Sequence, residues 1–178
     1  VITEMMSKSS NSFRGAAVTN DVDFFELSNF TGQRIDLTGY RFTDSKDAKP
    51  FRRKLLPEGA PAVFVEPGGS VVFVRETIGG TADEALARFQ AWWGDCLKKD
   101  TPVLAYPSPG FSSFGDQLAI YGPDNRLMDR VAFPSATRGH SFSYNPRTGE
   151  FGVLSSVGLD GGCLASTTDD VASPGTTT

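Results

Sequence analysis

The sequence predicts an all-β protein, a β-sandwich interrupted by one α-helix. Three observations carry that prediction. Most segments are short, β-branched or aromatic, and end at Gly, Pro, Asn or Asp. Gly (19) and Pro (11) are frequent for a chain of 178 residues, as in loop-rich β proteins. One stretch alone combines helical periodicity with a cap at each end. No self-similar period of roughly 20–50 residues is visible, which excludes a solenoid or propeller.

In chain order, Val1 to Met6 opens with β-branched residues and forms the first strand, and Ser7 to Asn20 is a Ser/Asn/Gly-rich loop. Val22 to Leu27 is a strand with apolar side chains on both faces. Tyr40 to Thr43 alternates, with Tyr40 and Phe42 on one face and Arg41 and Thr43 on the other. Ala62 to Glu66 and Val71 to Arg75 flank a tight turn, Pro67-Gly68-Gly69. Val71 to Val74 is apolar on both faces, which places it inside a sheet. Thr81-Ala82-Asp83-Glu84 fits a capping box. Ala82, Leu86, Phe89 and Trp93 then form one helical stripe, and Gly94 stops it, so the helical insertion covers about 81–94.

After a Pro-rich loop (Pro102, Pro107, Pro109), Gln117 to Tyr121 and Arg126 to Phe133 form a hairpin over Gly122-Pro123-Asp124-Asn125. Pro123 presets the turn and Asn125 tolerates a positive φ. Ser141 to Tyr144 and Phe151 to Leu154 are the last strands. Leu27, Leu37, Tyr40, Val72, Leu118, Ile120 and Val131 are expected to fill the space between two sheets. The sandwich is expected to span residues 1–166. Thr167 to Thr178, small and polar, reads as a flexible linker or tail.

A domain of this size buries roughly 70% of its unfolded surface, enough for a true core. The net charge of −4 and pI near 5.0 argue against nucleic acid as a partner. The densest basic run, Arg52-Arg53-Lys54, reads as a solvated face. No apolar run reaches the roughly 18–20 residues that span a bilayer. The chain begins at Val1 with neither an initiator Met nor a leader, as expected of a processed chain or a piece of a larger multidomain protein. Cys96 and Cys163 are too few for a structural zinc site. They are either buried free thiols or a disulfide, and a secreted setting favours the bridge. Asn29-Phe30-Thr31 has the form of a glycosylation acceptor.

Little in the sequence points to catalysis. His140 is the only histidine, and adjacent strand residues face opposite ways, so Ser141 cannot be its catalytic partner. There is no nucleophile elbow, phosphate loop, dinucleotide fingerprint or His-Glu-x-x-His. Asp169-Asp170 sits in the expected tail, poorly placed for paired-carboxylate hydrolysis. Asp160-Gly161-Gly162 lacks the spacing of an EF-hand loop. Asp44, Asp116 and Asp129 lie at turns or strand ends, where carboxylates accept backbone N–H bonds. The expectation is no catalytic residue, no cofactor and no metal site. Trp92 lies about 100° around the helix from the apolar stripe and is the candidate ligand-binding side chain, able to stack on a sugar or anchor a partner. The alternative is that both tryptophans are buried beneath the 94–115 loop.

Several segments, in order, resemble the lamin tail domain. Ile2-Thr3-Glu4 is similar to its opening strand. Phe25-Glu26-Leu27-Ser28-Asn29 and Asp36-Leu37-Thr38-Gly39-Tyr40 resemble the two strands that follow, with Phe25 and Tyr40 where Trp is common. Pro67-Gly68-Gly69-Ser70-Val71-Val72-Phe73, the hairpin from Gly115-Asp116 through Asp129-Arg130-Val131, and Ser173-Pro174-Gly175 complete the set. The resemblance implies an immunoglobulin-like β-sandwich of bacterial type. It also implies a non-catalytic interaction module of a secreted or cell-surface protein, with a protein or glycan ligand. The competing expectations are a carbohydrate-binding module reading glycans through Trp92, and a hydrolase with its site in the 76–115 insertion.

Overall fold

A computed structural model describes residues 1–10, 23–44, 52–76, 80–107 and 110–176. Most of the predicted loop from Ser7 to Asn20, together with Val22, Pro109, Thr177 and Thr178, lies outside the described residues.

The strands in chain order are β1 (Ile2–Met6), β2 (Phe24–Ser28), β3 (Ile35–Asp36), β4 (Arg41–Thr43), β5 (Arg53–Lys54), β6 (Phe64–Val65) and β7 (Ser70–Arg75). Helix α1 (Ala82–Trp93) follows, then β8 (Val103–Tyr106), β9 (Asp116–Tyr121), β10 (Leu127–Phe133), β11 (Phe142–Asn145), β12 (Glu150–Leu154), β13 (Cys163–Leu164) and β14 (Val171–Ala172). A six-stranded sheet runs β12-β11-β1-β2-β7-β8, and a four-stranded sheet runs β10-β9-β4-β5. The protein is therefore all-β with a single α-helix among the described residues, as its sequence predicts.

Period-two geometry sorts the side chains of the larger sheet. In β2, Phe25 and Leu27 enter the core shared with the four-stranded sheet. In β7, Val71 and Phe73 do the same, and Phe25 stacks on Phe73 with ring centroids 4.9 Å apart. A register shift in β1 between Ile2 and Glu4 lets Ile2 and Met5, three positions apart, face one core. Leu27, Leu37, Leu118, Ile120 and Val131 belong to this core as expected, and Tyr40 packs against it half-buried. Val72 does not: it points to the opposite face with Phe24 and Val74.

That opposite face is covered by α1 and by the C-terminal segment. The Thr81 capping box forms as predicted, with Thr81 N donating to Glu84 Oε2 and Glu84 N donating to Thr81 Oγ1. Of the expected stripe, Phe89 and Trp93 are buried and Leu86 packs against the same core half-buried; Ala85 and Trp92 complete the buried face, and Ala82 does not join it. Spacings of four, three and one fit one face of a 3.6-residue helix, and Ala82 is left in solvent. Phe24 receives Phe89, Trp92 and Trp93 edge-on, at 5.3–6.2 Å between centroids. The helix is the crossover between β7 and β8, which pair in parallel. The Pro-rich loop thus contains a strand the sequence hid, because Val103-Leu104-Ala105-Tyr106 sits between prolines.

The expected flexible tail is instead part of the fold. β14 pairs with β13, and Thr168, Asp170, Ala172 and Ser173 are buried. Val171 N donates to Gly139 O and Ser141 N donates to Val171 O. Composition misleads here because these small residues lie flat on a sheet face, where short side chains permit close approach. The two turns read from sequence form as expected. Gly68 has φ +72°, and Gly69 N donates to Glu66 O. Asn125 has φ +62°, and Asn125 N donates to Gly122 O.

Candidate functional site

Trp92, the predicted ligand-binding side chain, is 1% exposed. Its indole N–H donates to Asp170 Oδ2 at 2.8 Å and lies 3.0 Å from Thr168 Oγ1. What covers it is the C-terminal segment, with Ser166 N donating to Trp92 O. Trp92 is thus a structural residue that fastens this segment to the helix, not a surface for sugar. Asp170, half of the pair Asp169-Asp170, is an internal hub: its Oδ1 accepts from Ser10 N at 2.6 Å and its Oδ2 also accepts from Thr168 Oγ1. Trp92→Phe keeps one aromatic ring but deletes the donor to a buried carboxylate and part of a buried indole, which together should cost about 2–4 kcal/mol in urea unfolding. An unchanged midpoint would show that this bond contributes nothing.

Cys96 and Cys163 are disulfide-bonded, with Cα atoms 5.9 Å apart. The alternative of free thiols is thereby removed. His140 Nδ1 lies 3.0 Å from the backbone oxygen of Ser155. The Ser141 hydroxyl turns away and donates to Glu4 Oε1 at 2.7 Å. Asn29, the glycosylation-like asparagine, is buried, and its amide donates to Gln33 O and Val65 O, so the acceptor nitrogen is committed internally. Asp116 and Asp129 accept backbone N–H bonds, from Ser112 and Gln117 and from Ile2 and Arg130. Burial, with Asp116 nearby, raises the Asp44 carboxyl above its usual range. Arg53–Lys54 of the basic run is an exposed edge strand, and the Arg52 guanidinium stacks on the Tyr121 ring at 3.5 Å. Among the described residues no group of three or more His, Cys, Asp and Glu could hold a metal ion.

Three features were not legible beforehand. The first is a buried carboxyl pair. Glu4 and Glu26 are register partners across β1 and β2, and both are 1% exposed. Glu4 Oε1 accepts from Ser141 Oγ, Ser173 N and Ser173 Oγ at 2.7–3.0 Å. Glu26 Oε1 accepts from Thr3 Oγ1 at 2.7 Å, and Oε2 accepts from Gly175 N. The pair therefore clasps Ser173-Pro174-Gly175. Burial pushes the Glu26 carboxyl up to about 8, and the neighbouring Glu4 pushes the same way. Glu4 is raised too, chiefly by burial, against the pull of its serine donors. The only hint in the sequence was a Glu in each of two mostly apolar strands.

The second feature is an apolar cleft of about 310 Å3 at one end of the sandwich. Leu27, Ile35, Leu37, Tyr40, Val65 and Ile120 line it, and the two-stranded β3–β6 ribbon forms one wall. Asn29 and Asp129 in its lining are already engaged: Asn29 Oδ1 accepts from Thr31, and both Asp129 oxygens accept backbone N–H groups. The third is a polar basin of about 280 Å3 lined by Ser7, Lys8, Asp23, Arg75, Phe111, Ser113 and Arg138.

No family model, curated protein or solved structure matches the chain. No helix among the described residues is long and apolar enough to cross a membrane.

Proposed function

We propose that the protein is a non-catalytic interaction module whose apolar cleft takes an aliphatic or aromatic side chain of a protein partner. The cleft carries this reading. Its volume lies at the lower end of ligand-sized pockets, roughly 300–1,000 Å3. Its walls are mainly Leu, Ile, Val and Tyr, and the Asn29 and Asp129 side chains beside it already accept hydrogen bonds from within the fold. Such a site selects by shape and apolar burial, at about 25 cal/mol per Å2. A glycan needs free donors and acceptors and an exposed aromatic platform, and Trp92 supplies none. Placement within the lamin-tail-like family, and a secreted or cell-surface bacterial setting within a larger protein, belong to the same proposal. They rest on the motif resemblance, and the disulfide agrees with an oxidising compartment.

Capped peptides Gly-Leu-Gly, Gly-Phe-Gly and Gly-Ser-Gly, titrated into the labelled protein by NMR, test the reading. The Leu and Phe peptides should shift the amides of Leu27, Ile35 and Leu37, and the Ser peptide should not. Ile35 is only partly buried, so Ile35→Arg should abolish the shifts without unfolding the chain. Equal shifts for all three peptides, or turnover in a hydrolase screen lost in His140→Ala, would sink the proposal.

A further inference from the structure

The polar basin lies at the place where the ends of several elements meet. Lys8 follows β1, and its backbone oxygen accepts from Gly139 N at 2.9 Å, which brings Arg138 alongside. Asp23 precedes β2, and its backbone oxygen accepts from Arg75 N at the end of β7. Asp23 Oδ2 accepts from Phe111 N at 2.7 Å and pairs with Arg75 Nη1 at 3.5 Å. A Cβ at Gly110 would stand 2.1 Å from Arg75 Nη1 and 2.6 Å from Asp23 Oδ2, so the 110–113 segment is pressed onto this pair.

The charge balance of the basin opposes that of the molecule. Among the described residues, three cations, Lys8, Arg75 and Arg138, share it with one carboxylate whose Oδ2 is engaged by Phe111 N and Arg75, on a chain of net charge −4. Two donors there are buried with no hydrogen-bond partner among the described residues: the Ser7 hydroxyl, in a residue 4% exposed, and Arg75 Nε. Buried donors are rarely left unpaired in native proteins, and one beside excess positive charge calls for an acceptor that carries negative charge.

We propose that this basin is a binding site for a tetrahedral oxyanion, a phosphate or sulfate group. Lys8 and Arg138 supply charge from the rim, and Arg75 and Ser7 donate from below. The basin exceeds the size of a bare oxyanion and has room for an ester on a larger molecule. This inference is independent of the apolar cleft and survives if the peptide titration fails.

The test is calorimetry and NMR titration at constant ionic strength, balanced with sodium chloride. The probes are inorganic phosphate, inorganic sulfate, glucose 6-phosphate, glucose 6-sulfate and glucose. Saturable binding of the esters, with shifts at Ser7, Lys8, Phe111 and Ser113, is the expected result. Arg138→Ala, at an exposed position, should weaken it at least about tenfold, and Lys8→Ala similarly. Inorganic ions binding as tightly as the esters would support the site and identify the free ion as its ligand. Glucose binding equally well would overturn the proposal. So would ester affinity unchanged in both variants, or shifts confined to other surfaces.

Discussion

Glu26→Gln should flatten the pH dependence of stability and leave the protein more stable than wild type at mildly alkaline pH, with Glu4, also raised by burial, supplying the slope that remains. The carboxyl of Glu26 rises from 4.5 to about 8 on folding, because burial and the adjacent Glu4 both disfavour its charge. A group raised on folding binds its proton in the native state over the window where the unfolded chain has released it. Its stabilising contribution is therefore full below about 4.5, is lost as pH climbs through that window, and is gone above about 8. At about 1.4 kcal/mol per unit, the loss is on the order of 4–5 kcal/mol for this group. Glutamine matches the protonated carboxyl in shape. Its oxygen can accept from Gly175 N, and its NH2 can donate to the Thr3 and Ser28 hydroxyls, which accept as readily as they donate. Urea unfolding at pH 5, 7 and 8.5 decides it: a falling series for wild type and a flatter, still falling one for the variant. A wild type with no slope, or a variant with the same slope, would refute the carboxyl-pair account. The first site to loosen with rising pH should be Ser173 to Gly175, whose exchange protection reports the clasp directly.

Loss of the disulfide is the other large effect. The Cys96–Cys163 bond closes 67 positions of chain, for which the loop-entropy relation gives a ceiling of about 4 kcal/mol. Cys96→Ala/Cys163→Ala should therefore lower stability by about 2–4 kcal/mol. The consequence should be local as well as global. Cys163 opens β13, which pairs with β14, and this hairpin leads into the segment over Trp92 and the carboxyl pair. Amide exchange in residues 163–172 should accelerate more than exchange in β2 or β7. A variant within about 1 kcal/mol of wild type, with residues 163–172 still protected, would show that hydrogen bonds alone hold the segment.

The two effects converge on the part of the molecule that was hardest to read. Thr167 to Gly175 has almost no large apolar side chain, so by composition it looks like linker. It is ordered because its partners come from far along the chain: Glu4 and Glu26 at one end, Trp92 in the middle of its path, Cys96 through the disulfide. The same long-range logic buried Trp92. A stripe can be drawn through Ala82, Leu86, Phe89 and Trp93 or through Ala85, Phe89, Trp92 and Trp93, and the helix alone does not choose between them. Phe24 and the C-terminal segment choose. The cleft had a partial signature, since Leu27, Leu37, Tyr40 and Ile120 were visible as a core set, but which of them edge an opening was not.

Local chemistry was enough to specify the strands that alternate, the Thr81 cap, the turns at Gly68 and Asn125, and hence the all-β class. Each depends on dihedral preference and side-chain spacing within a few residues. The second face of the six-stranded sheet, the helix and C-terminal segment that cover it, the clasping carboxyls and the basic basin were decided only by the assembled fold. Their energies come from desolvation and from hydrogen bonds between groups roughly eighty to a hundred and seventy positions apart, and no local pattern records those.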